Sequence, residues 1–123
     1  MKLYLSMPRG LLPHYNKTLA LYHELAKQGH LSEAWAQLER AHVIGQAFPY
    51  QHTEVHWLML KFGMRIKSMS EIVGQVPRLL VGGVKSFVGA IPVGNTGGAN
   101  VSPLKPMDIP DDIKQLLDQY KDK

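Results

Sequence analysis

From about residue 14 to residue 88 the chain returns to an apolar side chain every three or four positions, and each such run ends at a glycine, a proline or a polar break. That period belongs to the α-helix, whose turns bring positions i, i+3, i+4 and i+7 onto one face, whereas a half-buried strand would alternate every second residue. From His14 to Gln28 the stripe is Leu19, Leu21, Tyr22 and Leu25, and Gly29 supplies a C-terminal stop. Ser32 is a suitable N-cap for a second helix, in which Ala34, Trp35, Leu38, Ala41 and Ile44 or Gly45 carry the stripe to the Phe48-Pro49 break. A third helix is predicted over Gln51 to Lys67, with Val55, Leu58, Met59, Phe62 and Ile66 on one side and Lys61, Arg65 and Lys67 over much of the other. Ser70 offers the N-cap of a fourth, which ends near Phe87 to Ala90. Gly74 and Pro77 predict a kink in it, because an interior proline loses a donor and crowds the preceding turn.

The two halves of this region echo one another at an offset of 38 residues. Ser32-Glu33-Ala34-Trp35-Ala36-Gln37-Leu38-Glu39-Arg40 aligns with Ser70-Glu71-Ile72-Val73-Gly74-Gln75-Val76-Pro77-Arg78, and His14 falls on His52. Two similar helix hairpins are therefore expected side by side. The turn Gln28-Gly29-His30-Leu31-Ser32-Glu33-Ala34 resembles that of tetratricopeptide repeats, but a solenoid needs at least three units. The fold class expected is all-α: a compact bundle of about four helices, built as two tetratricopeptide-like hairpins. Gly89 to Asn100 is rich in turn-forming residues and cannot sustain a helix, although Ile91, Val93, Val101 and Leu104 suit a segment lying against the bundle. Pro110-Asp111-Asp112 then opens a short terminal helix to about Tyr120, with proline and acids where the first turn favours them. At 123 residues the chain is sized for one domain, with a helical core over about 14–88, an irregular segment over about 89–109 and the terminal helix over about 110–120.

Composition narrows the chemistry. With no cysteine, disulfides, thiolate nucleophiles and cysteine-type zinc sites are excluded, so any metal must be held by histidine, carboxylate, methionine or main chain. The first ten residues lack the apolar core of a signal peptide, which gives a cytoplasmic expectation. The stretch from Leu79 to Val93 is interrupted by Lys85 and falls short of the roughly 20 residues a spanning helix needs, so no membrane insertion is expected. The net charge of +4 is scattered along the chain, and its one compact group, Lys61, Arg65 and Lys67, reads as a solvated helix face, which disfavours nucleic acid as a partner.

The chemically suggestive residues gather about the second and third helices. Glu39, His42 and Gln46 follow one another at intervals of three and four, which directs them to one side of a helix, and His52 and His56 are four apart on the next. A short connection makes the two helices antiparallel, so the end of one meets the beginning of the other. Glu39, His42, His52 and His56 thus form a candidate first shell for one divalent transition metal such as zinc, iron or copper. Gln46, Glu71 and Gln75 are candidates to orient the imidazoles by hydrogen bonds. The alternatives, after metal binding, are a buried polar network and then unrelated surface positions. Thr53 follows His52 where a zinc peptidase needs its glutamate. Glu39-Arg40-Ala41-His42 is the lone Glu-x-x-His element where a di-iron bundle needs two. Met59 extends the stripe toward a copper-friendly set, although core filling accounts for it. The Gly94-Asn95-Thr96-Gly97-Gly98 turn could nest an anion, but no phosphate-loop lysine follows it.

Leu38-Glu39-Arg40-Ala41-His42-Val43-Ile44-Gly45-Gln46, His52-x-x-x-His56-Trp57-x-Met59-Leu60, Pro92-Val93-Gly94-Asn95-Thr96-Gly97 and Pro106-Met107-x-Ile109-Pro110 together resemble a bacterial family catalogued as domain of unknown function 3703, over about residues 14–117. The resemblance implies matching positions at Glu39, His42, Gln46, His52 and His56, and an association with metal-resistance gene neighbourhoods. It implies no reaction. The chain departs from the family pattern around Lys67 to Ser70, where extra residues of low hydrophobic content enter the turn between the third and fourth helices. The leading expectation is a cytoplasmic metal-binding protein of metal handling or resistance, with no catalytic residue or substrate assigned. The competing one is a tetratricopeptide-like module for a protein partner or a second copy, its histidines incidental.

Overall fold

The periodic runs become five helices: α1 Leu12–Lys27, α2 Leu31–Gly45, α3 Pro49–Arg65, α4 Met69–Val88 and α5 Asp111–Gln119. The structure is a computed structural model that describes residues 6–88, 95–99 and 106–120, the side chains of 79–88 excepted; no strand occurs among the described residues. Helices α1 and α2 form one antiparallel hairpin and α3 and α4 another, α2 packs on α3, and α5 rests on α2. The fold is an all-α bundle, as the sequence leads one to expect.

Both hairpin turns use the same closure. Past the end of α1, Gly29 adopts φ +83°, its amide donates to the Ala26 carbonyl at 3.1 Å and the His30 amide donates to Leu25 at 2.9 Å. This is a Schellman turn, which satisfies carbonyls that the helix end would otherwise leave bare. Past α3 the pattern recurs, with Lys67 N–H to Met64 O at 3.3 Å and Ser68 N–H to Gly63 O at 2.9 Å. Here the left-handed position is held by Lys67, φ +58°, where a side chain is unfavourable.

The turns also shift the helix starts. The next helix begins as soon as the chain leaves its left-handed residue, so α2 starts at Leu31 without a side-chain cap, and Ser32 lies inside it rather than capping it. In α4 the capping oxygen belongs to Ser68, which accepts from the Glu71 amide at 3.3 Å, and Ser70 is already helical. Pro49 starts α3 two residues earlier than periodicity suggests, because its missing N–H is no loss in a first turn. Leu21 is exposed rather than part of the α1 stripe, and Ile66 lies just beyond α3 and is also exposed. Helix α4 runs through Pro77 to Val88. Ile91, Val93, Gly94, Val101 and Leu104 lie outside the described residues.

Leu11, Tyr15, Leu38, Val55, Met59 and Ile113 are almost wholly buried and define the centre of the core. Phe62 of α3 meets the rings of Trp35 from α2 and Tyr22 from α1, at centroid distances of 5.2 and 6.4 Å. The Tyr15 hydroxyl reaches from α1 to α3, lying 2.8 Å from Glu54 Oε1 and 3.2 Å from the Gln51 carbonyl. Burial together with Glu54 pushes its ionisation far up, so it stays a donor. Helix α5 is seated by buried Ile113 and by an Arg40–Asp112 ion pair, which holds the Asp112 carboxyl below its usual range.

The α2–α3 junction sets the site. Only Gln46–Phe48 separates the two helices. Gly45 closes α2 where a side chain would meet Gln51 Cβ at 2.9 Å and the Tyr15 ring at 3.1 Å. Phe48 is extended, φ −117° and ψ 115°, as a residue before proline prefers.

Candidate metal centre

His42, from the last turn of α2, and His52 and His56, one turn apart early in α3, are all buried. Their ring nitrogens converge. His42 Nε2 lies 3.1 Å from His56 Nε2, and His56 Nε2 lies 3.1 Å from His52 Nε2. The three rings sit with centroids 4.7 to 4.9 Å apart and steeply inclined to one another, an arrangement set by the nitrogens rather than by stacking.

The outer nitrogens decide what the inner ones can do. His42 Nδ1 is 2.6 Å from the backbone carbonyl of Asn95, which can only accept, so the proton of a neutral His42 ring is on Nδ1. His56 Nδ1 is 2.7 Å from Gln75 Oε1. The orientation of that amide is fixed by its other end, since Gln75 Nε2 donates to Glu71 Oε2 at 2.8 Å and to the Gly97 carbonyl at 2.9 Å. His56 therefore also carries its proton on Nδ1. Both Nε2 atoms present lone pairs, and they do so to each other.

Two lone pairs at 3.1 Å repel unless a cation lies between them. A hydrogen bond from a protonated His52 Nε2 could satisfy His56, but it leaves the His42–His56 opposition in place. A proton is a poor occupant, because burial, followed by the neighbouring imidazoles, holds the His42 pKa well below its usual value. A metal ion suits the spacing. Nitrogens bound tetrahedrally at the 2.0–2.1 Å typical of zinc stand about 3.3 Å apart. Among the described residues His42, His52 and His56 are the group whose ligand atoms come close enough to hold an ion, all within 4.8 Å of one another. The three buried histidines could form a metal site; its metal is not defined by these contacts.

The fourth expected residue stands beside this group. Glu39 is half-buried one turn before His42, facing Trp35 and Thr96, and its pKa is raised first by burial and further by the charge of Glu71, against the lowering influence of Trp35 and Thr96. Thr96 Oγ1 is buried near that carboxyl. Gln46 is buried at the C-cap of α2. Of the supporting residues expected from sequence, Gln75 contacts His56 directly and Glu71 reaches it through Gln75. The Met59 sulfur accepts from Gln75 Nε2 at 3.6 Å, the same amide whose oxygen holds His56.

Residues 95–99 form a strap that sequence reasoning placed only as a turn. Asn95 O holds His42, Gly97 O holds Gln75, and the Ala99 amide donates to Glu71 at 3.0 Å. The strap turns on itself through Gly97 N–H to Asn95 Oδ1 at 2.8 Å, so the Gly97 amide is committed internally rather than to an anion. Gly97 has φ +86°, and a Cβ there would meet the His42 ring at 2.5 Å. The Asn-x-Gly spelling signals a turn, but nothing local reveals that it closes on a histidine 53 positions away. Arg78, one turn beyond Gln75, likewise has no local signal in the sequence that ties it to the site. It donates to the Gly74 carbonyl at 2.7 Å, and its charge helps depress the His42 pKa.

The chain matches the family described as "Protein of unknown function (DUF3703)" over residues 9–117 and belongs to it. That span holds the whole triad together with Glu39, Glu71, Gln75 and the strap. Neither the curated proteins nor the solved structures give a match.

Proposed function

We propose that the chain is a single helical domain that binds one divalent transition-metal ion in the cytoplasm through His42, His52 and His56, and serves metal handling or resistance rather than catalysis. The observation that carries this reading is the approach of His42 Nε2 and His56 Nε2 to 3.1 Å while both Nδ1 protons are engaged elsewhere. Three neutral imidazoles suit zinc or copper at a late first-row site and leave one tetrahedral position for an exchangeable ligand. The carboxylates of Glu39 and Glu71 stand outside the convergent group and offset an ion's charge without binding it. Binding rather than turnover is favoured because the Glu39 carboxylate, one turn from His42, is engaged with Trp35 and Thr96.

Elemental analysis and titration of the purified protein with zinc, copper, iron and nickel, beside the His42→Ala/His56→Ala variant, test the reading. One equivalent of metal, lost in the variant, is expected. A folded native protein that takes up none of the four at micromolar concentration disproves it.

A further inference from the structure

The two helices that carry the triad and its support turn their other side outward. On α4, Glu71 and Gln75 point to the strap and Ile72 packs toward Gly63 of α3. Met69, Val73 and Val76 fall on the far side of that contact line at intervals of four and three. On α3, His56 and Met59 turn to the interior, and Trp57 and Met64, seven apart and both exposed, lie about a quarter turn further round the helix from the Gly63 contact, as the exposed α4 residues do from Ile72. Because the helices are antiparallel, residues advanced in the same rotational sense from their shared contact come to one side of the pair. Trp57, Met64, Met69, Val73 and Val76 thus make one outer face, with Ile66 at its tip.

This face is apolar and open. Met69 is 68% exposed, Val73 64% and Trp57 48%. A cluster of large exposed apolar groups on one face marks an interaction surface, whereas such residues scattered singly do not. Lys61, one turn beyond Trp57, and Lys67 at the tip border this face, and Arg65 stands on its α1 flank, where its charge also reaches Tyr22. Between Trp57 and Val76 the only acid is Glu71, which is occupied by the Ala99 amide and Gln75 on the strap side. Lys67 stands at the tip in a left-handed conformation that lysine does not favour.

The geometry points to an anionic membrane surface as the occupant of this face: the α3–α4 hairpin lies on the bilayer, Trp57, Met69 and Val73 sink to the headgroup boundary, and Lys61, Arg65 and Lys67 meet lipid phosphates. Aliphatic and tryptophan side chains bordered by cations are the composition that binds such a surface. A second copy would bring like charges together, and nucleic acid would leave the apolar residues without a partner. Attachment is peripheral, since among the described residues no helix is long and apolar enough to cross a membrane.

Co-sedimentation of the full chain with phosphatidylglycerol-containing vesicles and with pure phosphatidylcholine vesicles, at low and high salt, tests the proposal. Salt-sensitive binding to the anionic vesicles alone is expected, with Trp57 quenched by brominated acyl chains in a Trp35→Phe background. Lys61→Glu/Arg65→Glu should weaken partitioning at least about 25-fold, since each cation contributes roughly fivefold. Met69→Ser/Val73→Ser should abolish quenching while circular dichroism stays unchanged. No vesicle binding by a folded protein overturns the proposal, as does binding insensitive to both variants. So does a face that instead drives dimerisation in light scattering or binds duplex DNA in place of vesicles. Metal titration of the same variants keeps this test independent of the histidine site.

Discussion

His42 and His56 face each other with unprotonated Nε2 atoms 3.1 Å apart, each ring locked from behind by an acceptor that belongs to a different part of the fold. The acceptor for His42 comes from the strap and the one for His56 from α4. The inner pair is thus held in a repulsive arrangement by outer hydrogen bonds.

Removing the lock on His56 is the mildest perturbation. Gln75→Ala leaves Nδ1 without its acceptor and frees the ring to turn or change tautomer. Loss of such an outer partner typically weakens metal binding 10- to 100-fold. Titration against a competing chelator should find a loss of about that size, with one-to-one stoichiometry kept. An unchanged affinity would remove Gln75 from the site.

Gly97→Ala combines two faults, a side chain at φ +86° and a Cβ at 2.5 Å from the His42 ring. Chemical denaturation should show a loss of more than about 1 kcal/mol, the usual cost where alanine meets a positive φ being exceeded by the contact. Gly29→Ala is the control. Its φ is +83° but no atom stands within 4 Å of its Cβ, so only the backbone cost applies and metal affinity should be intact. Equal effects of the two on metal binding would mean that the strap does not position His42.

The pH dependence follows from His42, whose folded pKa lies below the ordinary value near 6.5. Between the two values the unfolded chain binds the proton more readily than the folded one. The contribution of the neutral ring is complete above about pH 6.5 and is lost as pH falls toward the folded pKa. Metal-free protein should therefore show a flat unfolding midpoint above about pH 6.5, then a decline of up to about 1.4 kcal/mol per pH unit from this ring. His42→Phe should flatten the decline, and a decline that persists undiminished in that variant would refute the assignment.

An ion that binds the folded chain must also stabilise it. At a free concentration 100 times its dissociation constant the gain is about 2.7 kcal/mol. A chelator should reverse it, and the His42→Ala/His56→Ala variant should not show it. Thermal melts with and without zinc or copper decide the matter, and equal shifts in both proteins would place the ion elsewhere.

Lys67→Gly tests the α3–α4 turn alone. Relieving a left-handed side chain should raise stability by about 0.5–1 kcal/mol, read as a higher denaturation midpoint at unchanged slope.

The helices could be read from sequence because their apolar spacing is a local signal: Leu38 and Ala41, or Val55, Leu58 and Phe62, declare a buried face without knowledge of what covers it. The triad was legible for the same reason, since His42, His52 and His56 lie within two adjacent helices joined by three residues. Helix starts were less so, because Ser32 and Ser70 are good caps by type while the Schellman turns at Gly29 and Lys67 had already determined where the chain re-enters a helix. Glu39 shares the helix side of His42, yet its carboxylate faces Trp35 on its own helix and Thr96 on a segment that returns from far along the chain. The roles of Asn95 and Gly97 were illegible on the same ground, since they depend on tertiary contacts that no local pattern encodes.

The three imidazoles come from a stretch of 15 residues, whereas the carbonyl that steadies His42 arrives across a separation of 53. Closing a loop of that length carries an entropic cost that the short α2–α3 connection does not. A chain emerging from the ribosome would possess its cluster of lone pairs well before the strap that covers them. On the proposed reading the early helices thus supply the ion's ligands, while the late strap fixes the orientation of one of them.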